Sequence, residues 1–322
     1  MPVHLADEWL KLEAALGYRP QMSGETVLHI RDGVRLMTKR PQANTRHNPD
    51  LLVYDTVIES PHHIKVRVYE PKGRADNLVQ DVALFFHGGG WCIGDTDLED
   101  DLVRFMAVES EMKFVSVDYR LAPENPWPAQ LEDCSGAAKW AMQLLTRSNL
   151  QASGNSGRIF LVGTSAGAQL ALSVAIKLSQ AKSPVDGIVA LAPFAIRGED
   201  SVKYIGQDVN SHHENSDAPI ITMEVLQMFL DAAGAPLGDP SFSVLLSPHL
   251  SDMPPTYVAA CGADILRDHG LMIAETLRKH RVPVRIDTYP GYPHTFWGTP
   301  GLEIIEEFRS NLLSGIQFVR NS

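Results

Sequence analysis

From residue 80 onward the chain is built around six short apolar segments: VALFF (82–86), FVSVD (114–118), IFLVGT (159–164), GIVALAP (187–193), TYVAACG (256–262) and VRIDTY (284–289). A sheet with one wet face alternates apolar and polar residues, whereas continuous apolar strands need cover on both faces. Strands of this kind separated by helical stretches predict a doubly wound, mostly parallel α/β sheet. The intervening stretches agree: Leu131, Cys134, Ala138, Ala141 and Leu145 recur at helical spacing, as do Ile304, Ile305, Phe308 and Leu312 near the end. Upstream, LLVYDTVIES and HIKVRVYEP read as an antiparallel hairpin, the second alternating Ile64, Val66 and Val68 with Lys65, Arg67 and Tyr69.

Two regions break the rhythm. Residues 7–16 place Trp9, Leu10, Leu12 and Leu16 at helical spacings, and the polar stretch after them, with Pro20, Arg31-Asp32-Gly33 and Pro41, reads as a loosely structured lead-in. Residues 194–255 far exceed the usual αβ loop of about 2–6 residues. Within them SDAPIITMEVLQMFLDAAG (216–234) spaces Ile221, Val225, Met228 and Phe229 as a helix and stops at Gly234. Open parallel sheets bind ligands beyond the carboxyl ends of their strands, so an element inserted there can act as a lid.

Composition narrows the partners. With 28 basic against 39 acidic residues, net charge −11 and no Lys/Arg cluster, the chain lacks what a phosphate backbone requires, and nucleic acid is not an expected partner. Apolar residues make up 44% and charged ones 21%, enough for a large core and unlike a disordered chain. Cys92, Cys134 and Cys261 are too few and too odd for a disulfide framework and fit a reducing compartment. The opening MPVHLADEWLKLEAALG has neither the basic nor the apolar part of a secretion signal, and no apolar run reaches a membrane span of about 18 residues. The expectation is a soluble cytoplasmic protein with no membrane span; a homodimer is compatible with it.

The chemistry centres on Gly163-Thr164-Ser165-Ala166-Gly167, which IFLVGT enters directly and the helical AQLALSVAIKL leaves. G-x-S-x-G arises by chance roughly once in ten chains of this length, so its placement carries the weight. Strand, sharp turn and helix make a nucleophile elbow, and side chains at 163 and 167 would clash where the strand turns. A serine hydroxyl needs a base, and the base an orienting carboxylate. Asp264 and Asp268 follow TYVAACG, and His294 follows VRIDTY, all on the strand-end rim that carries Ser165. Asp264 leaves its strand directly and is the preferred acid; Asp268 is placed to cap the helix HGLMIAETLRKH. His294 alone could be a loop histidine satisfied by hydrogen bonds, but the order Ser, Asp, His argues for a base. VALFF ends in His87-Gly88-Gly89-Gly90-Trp91, whose small residues let backbone N–H groups face a developing oxyanion together with that of Ala166.

These pieces resemble the hormone-sensitive-lipase-like family of α/β-hydrolases, which includes bacterial and fungal carboxylesterases. The matching segments are HGGGW (87–91), DYRLAPENPWPAQLED (118–133), GTSAG (163–167), DMPPTYVAACGADILRDHG (252–270) and PHTF (293–296), in family order. The resemblance implies one α/β-hydrolase domain: a mostly parallel eight-stranded sheet, helices on both faces, and a helical cap from about 1–45 and about 197–240. It implies Ser165 as nucleophile, His294 as general base, Asp264 as orienting acid, and Gly88, Gly89 and Ala166 as oxyanion donors, with no metal or cofactor. Three positions depart from the family: Thr164 replaces an Asp, Ala168 a Gly, and Thr295 the Gly after the histidine, and these bear on pocket shape.

The expected activity is therefore that of a serine carboxylesterase, acting on a small to medium soluble ester through an acyl-enzyme and needing a neutral imidazole. Hydrolases of fungal natural-product pathways resemble the family, which makes secondary metabolism a narrower setting. Arylformamide, amide or thioester hydrolysis is the enzymatic alternative. A ligand-binding protein on a hydrolase fold is the alternative of another class, against which the complete Ser165, Asp264 and His294 set argues. Trp91, Phe194, Phe296 and Trp297 flank the motifs and are candidates to line the substrate pocket, although core packing explains each equally well. Asp118 and Arg120 are expected to pair internally instead of meeting substrate, and Asp95, Asp97, Glu99, Asp100 and Asp101 to form a solvated helix N-terminus. The pairs His62-His63 and His212-His213 lack a third ligand at metal spacing, and Cys92 reads as a buried small residue.

Overall fold

The computed structural model describes residues 4–38, 48–59, 62–72, 80–151 and 157–322. β1 (Leu51–Ile58), β2 (Ile64–Pro71), β3 (Val82–Phe86), β4 (Lys113–Asp118), β5 (Ile159–Thr164), β6 (Gly187–Leu191), β7 (Thr256–Cys261) and β8 (Val284–Tyr289) form one sheet. Its order is β1-β2-β4-β3-β5-β6-β7-β8. β2 pairs antiparallel with β1 and β4, and every other pair is parallel. All residues of β3, β5, β6 and β7 are buried, which is why these segments read as unbroken apolar runs. Within them the two-residue period survives in the packing. Leu84, Phe86 and Leu161 face the side of α4 (Ala129–Gln151), α5 (Ala166–Gln180) and α9 (Arg267–Lys279), while Ala83, Phe85 and Val162 face α3 (Asp100–Ser110) and α10 (Ile304–Asn321).

The lead-in is more ordered than its sequence suggests. α1 (Asp7–Leu16) buries Trp9 on the α10 side, and the Ala6 N–H donates to Gly291 O at 2.9 Å. This helix therefore packs beside the loop after β8, which also carries His294. Arg31-Asp32-Gly33 falls inside α2 (Val27–Thr38), a correction to the loose lead-in. Its weak local propensity is overridden by tertiary contacts. Val27 and Ile30 are buried, and the Arg31 guanidinium donates to Cys92 O and Ala122 O and pairs with Glu124 at 2.7 Å. Pro41 and the end of the expected lead-in lie outside the described residues.

The long insertion contains α6 (Gly198–Asp200), a π-helical turn at Ser201–Ile205, α7 (Asn210–Glu214) and α8 (Met223–Ala233). Ile221 precedes α8 instead of opening it, because Thr222 is the N-cap and accepts the Val225 N–H. α8 lies on the glycine loop after β3: a Cβ at Gly90 would stand 2.1 Å from the Phe229 ring. The lead-in joins this layer, with Ile220 N–H donating to Pro20 O at 2.7 Å and α2 packed on α8. Arg120 pairs within its own segment, as expected: it grips the buried Asp133 at 2.9 Å and Glu132 at 3.2 Å.

Candidate active site

Ser165 occupies the turn from β5 into α5 at φ 58°, ψ −119°, a conformation that costs a non-glycine residue of order 1–3 kcal/mol. The turn is held by Ser165 N–H donating to Leu191 O at 2.7 Å. It also needs glycine on both sides: a Cβ at Gly163 would lie 2.2 Å from Gly167 O, and one at Gly167 would lie 1.9 Å from Phe86 O. Two further strand ends supply the partners. His294, in the loop after β8, places Nε2 2.9 Å from Ser165 Oγ and Nδ1 2.7 Å from Asp264 Oδ2. The other Asp264 oxygen, Oδ1, accepts the Leu266 N–H at 2.9 Å, which fixes the carboxylate's orientation. All three side chains are buried. With Asp264 ionised, Nδ1 carries the proton and Nε2 is left to accept from the serine hydroxyl.

Asp268 stands apart from this group. It does not cap α9, which already begins at Arg267; one oxygen accepts the Ser211 N–H at the start of α7 at 2.8 Å and the other takes the Arg267 guanidinium at 2.8 Å. Sequence reasoning missed Asn215 altogether. At the end of α7, its Nδ2 donates to Asp264 O at 2.9 Å and to Gly262 O at 3.4 Å, tying the insertion to the turn that carries the acid. Only the distance between residues 215 and 264 in the chain hid this link, and no local pattern announces it.

The glycine loop corrects one expected donor. Gly88 N–H donates to Glu99 Oε2 at 2.8 Å and so is not free for an oxyanion. Gly89 and Gly90 donate to no backbone carbonyl among the described residues, and both sit at positive φ, 107° and 57°. The available set at this corner is thus Gly89, Gly90 and, at the start of α5, Ala166. Below the loop, His87 is fully buried, stacked on Tyr119 at 4.2 Å, and its Nδ1 donates to Gly88 O at 2.7 Å. Burial pushes its imidazole down to about 4, so it stays neutral and structural. Glu99, expected on a solvated face, is turned inward by this loop.

Of the aromatic candidates, Phe194 has its backbone N–H donating to Ser165 O at 3.4 Å, while its ring packs on Trp91, Phe242 and His269. Trp91 is fully buried behind the loop, with Nε1 donating to Gln169 at 3.0 Å and its ring 4.6 Å from Phe242. Phe296 and Trp297 turn away from the site: Trp297 stacks on Phe308 of α10 at 4.3 Å, and Phe296 packs between Tyr289, Tyr292 and Phe308. Thr295, at φ 50°, reverses the chain after His294 and sends both rings to the α3 and α10 side of the sheet. A surface hollow of about 700 Å³ lies on the insertion, lined by Gly198, Val202, Lys203, His212 and Met223. Among the described residues no group of three or more His, Cys, Asp or Glu is arranged to hold a metal ion, and no helix is long and apolar enough to cross a membrane.

Comparison with known proteins adds to this geometry. Residues 83–298 match the family model described as alpha/beta hydrolase fold. The chain is 34% identical to the versiconal hemiacetal acetate esterase of Aspergillus parasiticus over 253 residues, 78% of this chain and 77% of that protein. It is 38% identical over 260 residues to a protein of Aspergillus terreus named FAD-linked oxidoreductase pytB, covering 79% of this chain but 31% of that much longer protein. The solved hyperthermophilic esterase from the archaeon Pyrobaculum calidifontis superposes with a TM-score of 0.79 at 28% identity, covering 98% of each chain.

Proposed function

Because the chain belongs to the hormone-sensitive-lipase-like α/β-hydrolases, we propose that it is a serine carboxylesterase working through an acyl-enzyme. The observation that carries this reading is the continuous hydrogen-bonded line from Ser165 Oγ through His294 to Asp264. Ser165 attacks the ester carbonyl while His294 Nε2 takes its proton, and Asp264 holds the imidazolium that results. The carbonyl oxygen becomes an oxyanion in front of the Gly89, Gly90 and Ala166 N–H groups, a contribution of several kcal/mol when such donors are preorganised. His294 then protonates the departing alkoxide, and alcohol leaves. Water repeats the sequence on the acyl-enzyme: His294 takes its proton, hydroxide adds to the acyl carbon, and carboxylic acid departs as Ser165 regains the proton.

The substrate we infer is a small to medium ester. Phe229 of α8 rests on Gly90, so little room for a long acyl chain remains at the glycine corner. Likeness to the versiconal hemiacetal acetate esterase supports an acetate-sized acyl group on a polyketide-type alcohol, in fungal secondary metabolism. The test is turnover of p-nitrophenyl esters of increasing chain length, together with labelling by a fluorophosphonate. Wild type is expected to be labelled at Ser165, and Ser165→Ala to lose both labelling and turnover, by about 10⁶-fold in kcat. Turnover retained in Ser165→Ala would sink the proposal.

A further inference from the structure

Glu99 precedes α3 directly and points its carboxyl into the active site, where Oε2 accepts the Gly88 N–H at 2.8 Å. A Cβ at Gly88 would lie 3.6 Å from Ser165 Cβ and 3.7 Å from that same oxygen, so the carboxylate stands one residue's width from the nucleophile. Glu99 is half-buried, and a carboxylate partly withdrawn from water is costly unless something compensates it. Among the described residues Glu99 makes no ion pair with Lys or Arg, whereas its neighbour Asp100 has both Arg67 and Arg104. We propose that Glu99 is a positioning residue of the esterase: its carboxylate fixes the glycine loop through Gly88 and favours the cationic His294 that forms when Ser165 loses its proton. This rests on the serine-esterase reading above.

The surroundings leave His294 as the group whose charge change Glu99 can serve. From the β3 end, His87 is held neutral by burial. From β4, burial keeps Tyr119 protonated, and Asp118 faces Asp95 and Asp97 on the far side of the loop. From α3, Asp100 is taken by its two arginines, and from the β7 end Asp264 is bonded to His294 itself. Burial raises the Glu99 carboxyl above its ordinary range, and the Gly88 N–H, Thr164 and the charge of His294 pull it back. The imidazole thus has one carboxylate bonded to it and a second whose charge it feels. Asp264 is hydrogen-bonded to it and sets its tautomer; Glu99 acts across space and through the loop that carries the oxyanion donors.

The experiment compares wild type, Glu99→Gln, Glu99→Asp and Glu99→Ala by kcat and KM across pH on a p-nitrophenyl ester, with fluorophosphonate labelling rates in parallel. Glu99→Gln keeps an acceptor for Gly88 and removes the charge. It is expected to fold with an unchanged or higher Tm, to lose about tenfold in kcat with KM within about twofold, and to move the ascending limb of kcat/KM to lower pH by about half a unit. Glu99→Asp keeps the charge and should retain the wild-type limb; Glu99→Ala should lose more than Glu99→Gln. A Glu99→Gln enzyme with wild-type kcat and limb, or losses in all three variants with an unmoved limb, would overturn the inference. An unlabelled wild type would instead overturn the serine-esterase reading on which it rests.

Discussion

Asn215 shows how much of this site is set by single contacts that span the chain. Its amide donates to the carbonyls of Gly262 and Asp264, the two ends of the turn that aims the acid at His294. Leaving those buried carbonyls unpaired costs about 1–3 kcal/mol. Asn215→Ala is accordingly expected to lower stability by about that amount and, because Asp264 loses its fixed aim, to reduce kcat more than it raises KM; urea unfolding and steady-state kinetics check both. A variant with wild-type kcat would show that Leu266 N–H alone holds the acid in place. At this scale Ser165, Asp264 and His294 were legible because each follows a strand end, and the parallel sheet brings all such ends to one rim. Gly88 was assigned wrongly because spacing shows that a glycine loop can offer amides, not which of them another side chain has already taken. Glu99 was hidden for the same reason: an acidic run looks alike whether the loop turns a member outward or inward.

Elements were read well where packing leaves its mark along one segment and poorly where it does not. The inner strands advertise themselves because burial on both faces demands apolar residues at every position. α2 has no such signature. It exists because Arg31, set on one turn of it, reaches Cys92 on the glycine loop and Ala122 and Glu124 in the loop after β4, contacts that no window of local sequence contains. α2 also packs on α8, which roofs Gly90 through Phe229, so the lead-in and the insertion form one layer over the site. The salt bridge to Glu124 is half-exposed and adds little; the bonds to two backbone carbonyls carry the effect. Arg31→Met, which keeps the aliphatic stem, should cost about 1–3 kcal/mol in urea unfolding and raise KM as the layer loosens. Unchanged values of both would mean that Val27 and Ile30 hold α2 without it.

For the whole molecule, charge and buried imidazoles make opposite demands on pH. With net charge −11 and a pI of about 5.5, self-repulsion weakens as pH falls from 7.5 to 5.5, and on that ground stability should rise. Burial holds His87 and His212 down to about 4 and His269 lower than its ordinary value as well. The geometry explains the last two: His269 Nδ1 accepts the Ala195 N–H, so its proton is on Nε2, facing His212 Nε2 at 2.8 Å with no place for a second. A folded value below the unfolded one of about 6.5 means that the unfolded chain binds protons first. The stability these groups give is complete above about pH 6.5 and is lost as pH falls toward about 4, at a cost near 1 kcal/mol for each imidazole by pH 5.5. Glu99, Asp118 and Asp186, raised by burial, act in the other direction, since the folded chain then takes up protons first. Between pH 7.5 and 5.5 the unfolded chain protonates all three imidazoles near their ordinary value while the folded chain holds them neutral, so Tm is expected to fall across that range at constant ionic strength. His212→Gln, which removes one of the pair, should flatten that slope by about 1 kcal/mol; a wild-type Tm that peaks at pH 5.5 would show that self-repulsion governs instead.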